Sequence, residues 1–175
     1  MHSRTLAEGA ASEVEVLNTL RTSTGAALRH TVVVSIHGIV GAAGRGDRFG
    51  RPKATLTLGG IALWVRARDT LLKGGVESVI VVGDVPGGVP GGERRRDSVR
   101  AGLEALPEAA VHVLIHDAAR PLASVGLVRR VVERLMAGDV DGVVPAVPVR
   151  DTVKRRSGDV VVETVDRSDL VLVQT

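Results

Sequence analysis

Val32-Val33-Val34-Ser35-Ile36-His37-Gly38-Ile39-Val40 runs directly into Gly41-Ala42-Ala43-Gly44-Arg45-Gly46-Asp47-Arg48-Phe49-Gly50. β-Branched residues crowd Val32 to Ile36 and Ile39-Val40 without helical spacing, which predicts a buried strand. The glycines from Gly41 to Gly50 predict a loop at its carboxyl end. Ile61 to Lys73 then has helical spacing, with Ile61, Val65, Leu71 and Leu72 expected inward and Gly74-Gly75 as its stop. Val79-Ile80-Val81-Val82 is a second continuous apolar strand. Gly83 to Gly92 has five glycines and two prolines and reads as a long loop.

The same alternation continues downstream. Val99, Leu103 and Leu106 fall on one helical face, and Val111 to Ile115 predicts a third strand ending in His116-Asp117. Ser124 is placed to cap a helix running to about Ala137, with Leu127, Val128, Val131 and Leu135 inward. Val143, Val144 and Val147 predict a fourth strand. Strands that are apolar on both faces and alternate with helices indicate an α/β domain with a mostly parallel sheet covered on both sides. After Val149 the pattern changes. Asp151 to Asp166 is charged, has Val160-Val161-Val162 in its middle and turns at Ser157-Gly158, which predicts a protruding β-hairpin. Residues 1 to about 30 are weakly patterned, with Val14, Val16, Leu17 and Leu20 the only hint of a helix, and are expected to form a flexible extension. The domain is expected over 31–175, with its arm at about 149–167.

Composition narrows the function classes. The chain has 175 residues, enough for one domain. Its 23 Lys and Arg against 20 Asp and Glu leave a charge of +3, too small for a dedicated duplex binder. Twenty of those cations are arginines, which suit planar recognition of phosphates or carboxylates. With no cysteine, a disulfide scaffold, a Cys-ligated zinc site and a thiol nucleophile are excluded. Only Phe49 and Trp64 are aromatic, so base stacking is not a major binding mode. No apolar run reaches the ~18 residues of a membrane helix. No signal peptide is visible at the start, and a cytoplasmic protein is expected.

In an open α/β sheet, ligands bind outside the carboxyl ends of the strands, where four polar segments emerge. The loop Gly41 to Lys53 lets backbone N–H groups approach an anion, with Arg48 and Lys53 adding positive charge; a plain surface loop would use the same glycines. It is not a Walker A loop, since no Lys-Ser or Lys-Thr follows a glycine, and Phe49 breaks the dinucleotide fingerprint. Gly91-Gly92-Glu93-Arg94-Arg95-Arg96-Asp97-Ser98 sets three arginines at a helix start. If exposed there, each opposes the helix dipole by roughly 0.3–1 kcal/mol. A nearby phosphate would offset that, though a solvated basic turn also accounts for the run. In His116-Asp117-Ala118-Ala119-Arg120-Pro121, Asp117 could hold a hydroxyl or a metal ion beside a phosphate, or simply pair with an arginine. The fourth segment is Asp151 to Lys154. The histidines show no metal-ligand spacing, and Ser98 lacks the nucleophile elbow of a serine hydrolase.

The order of these segments is more specific than any one of them. Ala42-Ala43-Gly44-x-Gly46-x-Arg48, Pro52-Lys53, Gly91-Gly92, Asp97-Ser98-Val99, His116 to Pro121, Asp151-Thr152-x-Lys154, Thr164-Val165-Asp166-Arg167 and Gln174-Thr175 follow one another. From about Val32 to Thr175 the chain resembles the 2-C-methyl-D-erythritol 4-phosphate cytidylyltransferases, and the similar ribitol-5-phosphate enzymes share much of the pattern. The resemblance implies a Rossmann-like nucleotidyltransferase, usually a homodimer through the arm. Such an enzyme joins CTP to a polyol phosphate with loss of pyrophosphate, using Mg²⁺ bound mainly through the CTP phosphates. It implies Arg48 and Lys53 at the attacked phosphate. Ala42, Ala43, Gly44, Gly46, Gly91, Gly92, Glu93 and Ser98 would hold the nucleotide. Asp117, Arg120, Thr152 and Thr175 would line the polyol-phosphate site, and Arg167 from a neighbouring subunit would position that phosphate. Gly41 replaces the family's usual proline, and Glu93 stands where Asp is common. The family continues beyond Gln174-Thr175, so its C-terminal part is expected to be missing here, and a non-catalytic nucleotide-binding module is the alternative.

Overall fold

The computed structural model describes residues 15–18, 35–44, 46, 50 and 53–174. Three strands form its parallel centre: β2 (Ile36–Gly41), β5 (Ser78–Val82) and β6 (His112–Asp117), in the order β5-β2-β6. The register sets Gly41 opposite both Val82 and Asp117. Three loops therefore leave the sheet at one level, and that edge carries the site. Of the predicted first strand, Ile36 to Val40 lies within β2, while Val32 to Val34 lie outside the described residues.

Helices cover both faces, because β2 alternates what it presents. Gly38 lies under Leu71 of helix α1 (Leu63–Lys73), whereas Ile39 lies under Gly102 of helix α2 (Arg95–Glu104). Helix α3 (Val125–Met136) packs beside α1, with Val128 and Leu135 buried in the same core as Val40 and Leu71. Its start is capped as expected, the Ser124 hydroxyl accepting from the Leu127 N–H at 3.1 Å.

Two predicted helix faces are corrected. Ile61 and Ala62 form a short strand, β4, paired with β3 (Thr57–Leu58) around Gly59-Gly60, so α1 starts only at Leu63. Leu71 is buried as expected, but Ile61 and Leu72 are exposed, and Ala67 joins Leu71 in the buried stripe. On α2 the buried positions are Ser98 and Gly102, and Leu103 points outward. Close approach decides this. A Cβ on Gly102 would lie 2.8 Å from Ile39 Cγ2 and 3.0 Å from Val82 Cγ2, so the helix rests on the sheet by its glycine rather than by a leucine.

The fourth predicted strand, β7 (Val143–Pro148), does not extend the parallel set. It pairs antiparallel with β1 (Glu15–Asn18) and with β10 (Val171–Val173), in the order β1-β7-β10. Glu15–Asn18 is thus a strand, where the sequence hinted at a helix in a flexible extension. The hairpin prediction matches the structure: β8 (Lys154–Ser157) and β9 (Val160–Thr164) pair antiparallel and are exposed throughout. Val160, Val161 and Val162 are among its exposed side chains. Among the described residues, no helix is long and apolar enough to cross a membrane.

Candidate functional site

At the carboxyl edge of the parallel strands lies a cleft of about 800 Å³. Its walls are the loop after β2 (Gly41, Ala42, Ala43, Gly44, Gly46), the Lys53-Ala54 turn, Gly92 to Arg95 with Ser98, and Asp117 to Ala119. Each wall is tied to the sheet. Ala42 donates its N–H to the Val82 carbonyl at 2.7 Å, and Ala118 donates to the Gly41 carbonyl at 3.0 Å. Lys53 opens a 3₁₀ turn closed by the Leu56 N–H to the Lys53 carbonyl at 3.0 Å. The next residue, Ala54, is buried in the core, so the lysine is presented by an anchored turn.

The second wall is held from within α2. Ser98 is buried, and its hydroxyl accepts the Gly92 N–H at 3.1 Å. Asp97, in the first turn, accepts the Arg94 N–H at 3.1 Å and so ties the helix start from one side. The anion that three arginines at a helix start call for is partly internal. Arg96 lies 3.5 Å from Asp97, and Arg95 reaches across to Asp117 at 3.2 Å. With side chains 61% and 31% exposed, the Arg95–Asp117 pair contributes only about 0–1 kcal/mol. The lining therefore has Lys53, Arg94 and Arg95 against Glu93 and Asp117, a cationic excess suited to a polyphosphate.

His116 stands behind this wall. Burial is the largest influence and pushes its imidazole below the ordinary value of 6.5; the Asp117 carboxylate and a hydrogen bond to the Arg120 backbone push the other way, and the Arg120 charge lowers it again. Its Nε2 is buried with no hydrogen-bond partner among the described residues, the environment of a neutral ring. The fold thus favours the neutral form, while the unfolded chain takes up a proton as pH falls below about 6.5. Stability from this group is complete above that pH and declines as pH drops towards the folded-state value. Melting temperature should therefore fall more between pH 7 and pH 5 for the native chain than for His116→Gln. Equal falls would remove His116 as the cause.

The cleft gathers Ala42, Ala43, Gly44, Gly46, Lys53, Gly92, Glu93, Ser98 and Asp117. Gly91 packs over Ala43 and Ser98 just outside the lining. Arg120, Thr152 and Arg167 do not line it. The Arg120 guanidinium faces Gln174 Oε1 at 3.5 Å, Thr152 is exposed just ahead of β8, and Arg167 donates to the Arg150 carbonyl at the arm's base. Arg48 and Thr175 lie outside the described residues. Arg94, Arg95, Ala118 and Ala119 line the cleft without having been singled out as site residues. For the two arginines the signal was the charge run at the helix start.

A family model described as 2-C-methyl-D-erythritol 4-phosphate cytidylyltransferase (IspD) matches residues 36–175. The chain belongs to that family. The 2-C-methyl-D-erythritol 4-phosphate cytidylyltransferase of Rhodococcus jostii is 45% identical over 156 residues, covering 78% of this chain and 67% of the relative. Among solved structures, the 4-diphosphocytidyl-2C-methyl-D-erythritol synthase of Anaerococcus prevotii superposes with a TM-score of 0.65 at 25% identity, covering 81% of this chain and 69% of that one. The cytidylyltransferase of Thermus thermophilus gives 0.59 at 31% identity, covering 78% and 66%. The matched region thus spans about two thirds of each of these three relatives. The α/β nucleotidyltransferase fold of the cytidylyltransferases is the fold of this chain.

Proposed function

We propose that this chain transfers CMP from CTP to 2-C-methyl-D-erythritol 4-phosphate in isoprenoid biosynthesis, releasing pyrophosphate. The observation that carries the reading is the cleft itself. A glycine-alanine loop, an anchored lysine and a strand-end aspartate meet at one sheet edge in a chain of the cytidylyltransferase family. A phosphate oxygen of the polyol phosphate attacks the α-phosphorus of CTP, and the bond to the β-phosphate oxygen breaks. No protein nucleophile is needed, because phosphoryl-type transfer rests on positioning and on cations at the developing charge.

Lys53 and, from the family pattern, Arg48 stabilise the α-phosphate. The Gly91 to Glu93 backbone and Ser98 hold the cytidine, as do Ala42, Ala43, Gly44 and Gly46. Asp117 accepts hydroxyls of the polyol, with Arg120, Thr152 and Thr175 nearby in the same scheme. Arg167 meets the polyol phosphate from a second copy, with the exposed hairpin as the arm between copies. Among the described residues no three His, Asp or Glu side chains are grouped to hold a metal. Mg²⁺ would come in mainly on the CTP phosphates, since this ion favours phosphate and water oxygens, and the Asp117 carboxylate on the cleft wall is an oxygen donor of the kind it takes. When bound, it would neutralise phosphate charge. The reaction is assigned to the cytoplasm.

Pyrophosphate release is measured with CTP, ATP, GTP and UTP, each with 2-C-methyl-D-erythritol 4-phosphate or ribitol 5-phosphate. Release should be greatest with CTP and the erythritol phosphate. Equal use of the four nucleotides would remove the cytidine assignment, and preference for ribitol 5-phosphate would move the acceptor. CTP binding without release, read by calorimetry, would leave a nucleotide-binding module.

A further inference from the structure

Of the three arginines at the start of α2, Arg95 alone among the described contacts bridges the cleft to another element. Its Nε and Nη2 lie 3.4 and 3.2 Å from a single oxygen of Asp117, Oδ1. A strong arginine fork uses two acceptor oxygens at about 2.7–2.9 Å, so this contact is loose. Its setting is also open: the Arg95 side chain is about twice as exposed as that of Asp117. The backbone of Arg95, by contrast, is fixed in the first turn of a capped helix. A fixed root with a weakly held, exposed guanidinium on a cleft wall is poorly suited to structural support. It is well suited to exchange.

We propose that Arg95 is an exchangeable phosphate ligand of the cleft: the guanidinium that rests on Asp117 transfers to a substrate phosphate as substrate hydroxyls take over the carboxylate. This rests on the proposed function for the identity of the substrate, and on the cleft geometry for everything else. A phosphate offers several oxygens to the planar fork, whereas Asp117 offers it one. The exchange also couples two halves of one ligand. A polyol without phosphate would displace Arg95 with no compensating partner, and a phosphate without hydroxyls would compete with Asp117 for the same side chain. Arg95 would thereby favour molecules carrying both groups. The charge run has a role here that a solvated turn does not need.

Inorganic phosphate, titrated by calorimetry, tests this directly. Arg95→Ala should weaken its binding by about tenfold, with Arg95→Lys intermediate because it keeps charge but loses the fork. Asp117→Asn should tighten binding by about threefold, since it releases the guanidinium. In the double variant Arg95→Ala/Asp117→Asn that gain should vanish. A gain that persists would assign it to lost carboxylate repulsion and overturn the exchange. No measurable phosphate binding by the native chain, or equal binding by Arg95→Ala, would overturn it too. Melting temperatures identify any variant that fails to fold. Turnover is measured on the same samples, with the KM for the polyol phosphate rising in Arg95→Ala more than the KM for CTP. If the native chain releases no pyrophosphate from CTP, the proposed function fails, while the phosphate titration still decides Arg95.

Discussion

Lys53→Ala is expected to lower turnover by about 10²–10³-fold, the loss typical when one preorganised group facing developing charge is removed, and to change CTP affinity far less. Lys53 lines the cleft from a 3₁₀ turn pinned by buried Ala54, so its backbone is anchored. A cation held in this way contributes most where negative charge grows, in the transition state rather than in the bound complex. Truncation should therefore appear in kcat, with KM for CTP nearly unchanged. Lys73→Ala is the control, because Lys73 is exposed in the last turn of α1 and does not line the cleft. Near-normal turnover in Lys53→Ala would reduce the glycine loop to a structural element. Equal losses at the two lysines would assign the effect to net charge.

The loops that form the cleft were legible in the sequence because their chemistry is local. Glycines and alanines after a β-branched run, or an aspartate at the end of one, mark strand ends whichever way the helices pack. Asp117 was marked in the same way, at the end of β6, whereas Ser98, inside α2, was marked only by the family resemblance. What was not legible depended on tertiary contact. The face of α2 looked apolar through Val99, Leu103 and Leu106, yet the sheet accepts the helix at Gly102, and a glycine leaves no trace in a hydrophobic pattern. Ile61 fitted the helical spacing of α1, but the Gly59-Gly60 turn takes it into a strand pair first. The direction of β7 was also hidden. Val143, Val144 and Val147 mark a strand, while its antiparallel partners come from Glu15–Asn18 and Val171–Val173, far away in the chain. Arg95 was visible only as one of three like charges, since nothing local tells which of them faces an aspartate 22 residues on.

Gly91→Ala should lower kcat/KM for CTP by about 10²-fold, the scale set by displacing a reacting group by ~1 Å, while leaving the melting temperature nearly unchanged. The new Cβ would lie 2.3 Å from Ala43 Cβ and 2.9 Å from Ser98 Oγ. Neither neighbour is the far end of a long side chain. Ala43 has no rotamer to change, and the Ser98 hydroxyl is already committed to the Gly92 N–H. The strain is therefore relieved by moving backbone, and both segments that move are walls of the cleft. Stability is spared because Gly91 is exposed and the central sheet is untouched. Gly126→Ala is the matched control: in α3 its Cβ would come no closer than 3.7 Å to any atom beyond its immediate surroundings, and the cleft is not lined by that helix. If Gly91→Ala bound and used CTP normally, the contact between Gly91 and Ala43 would not set the width of the nucleotide site. Ser98 would then remain as the feature of this wall to test next, since Ser98→Ala removes the hydroxyl without adding an atom to the crowded contact.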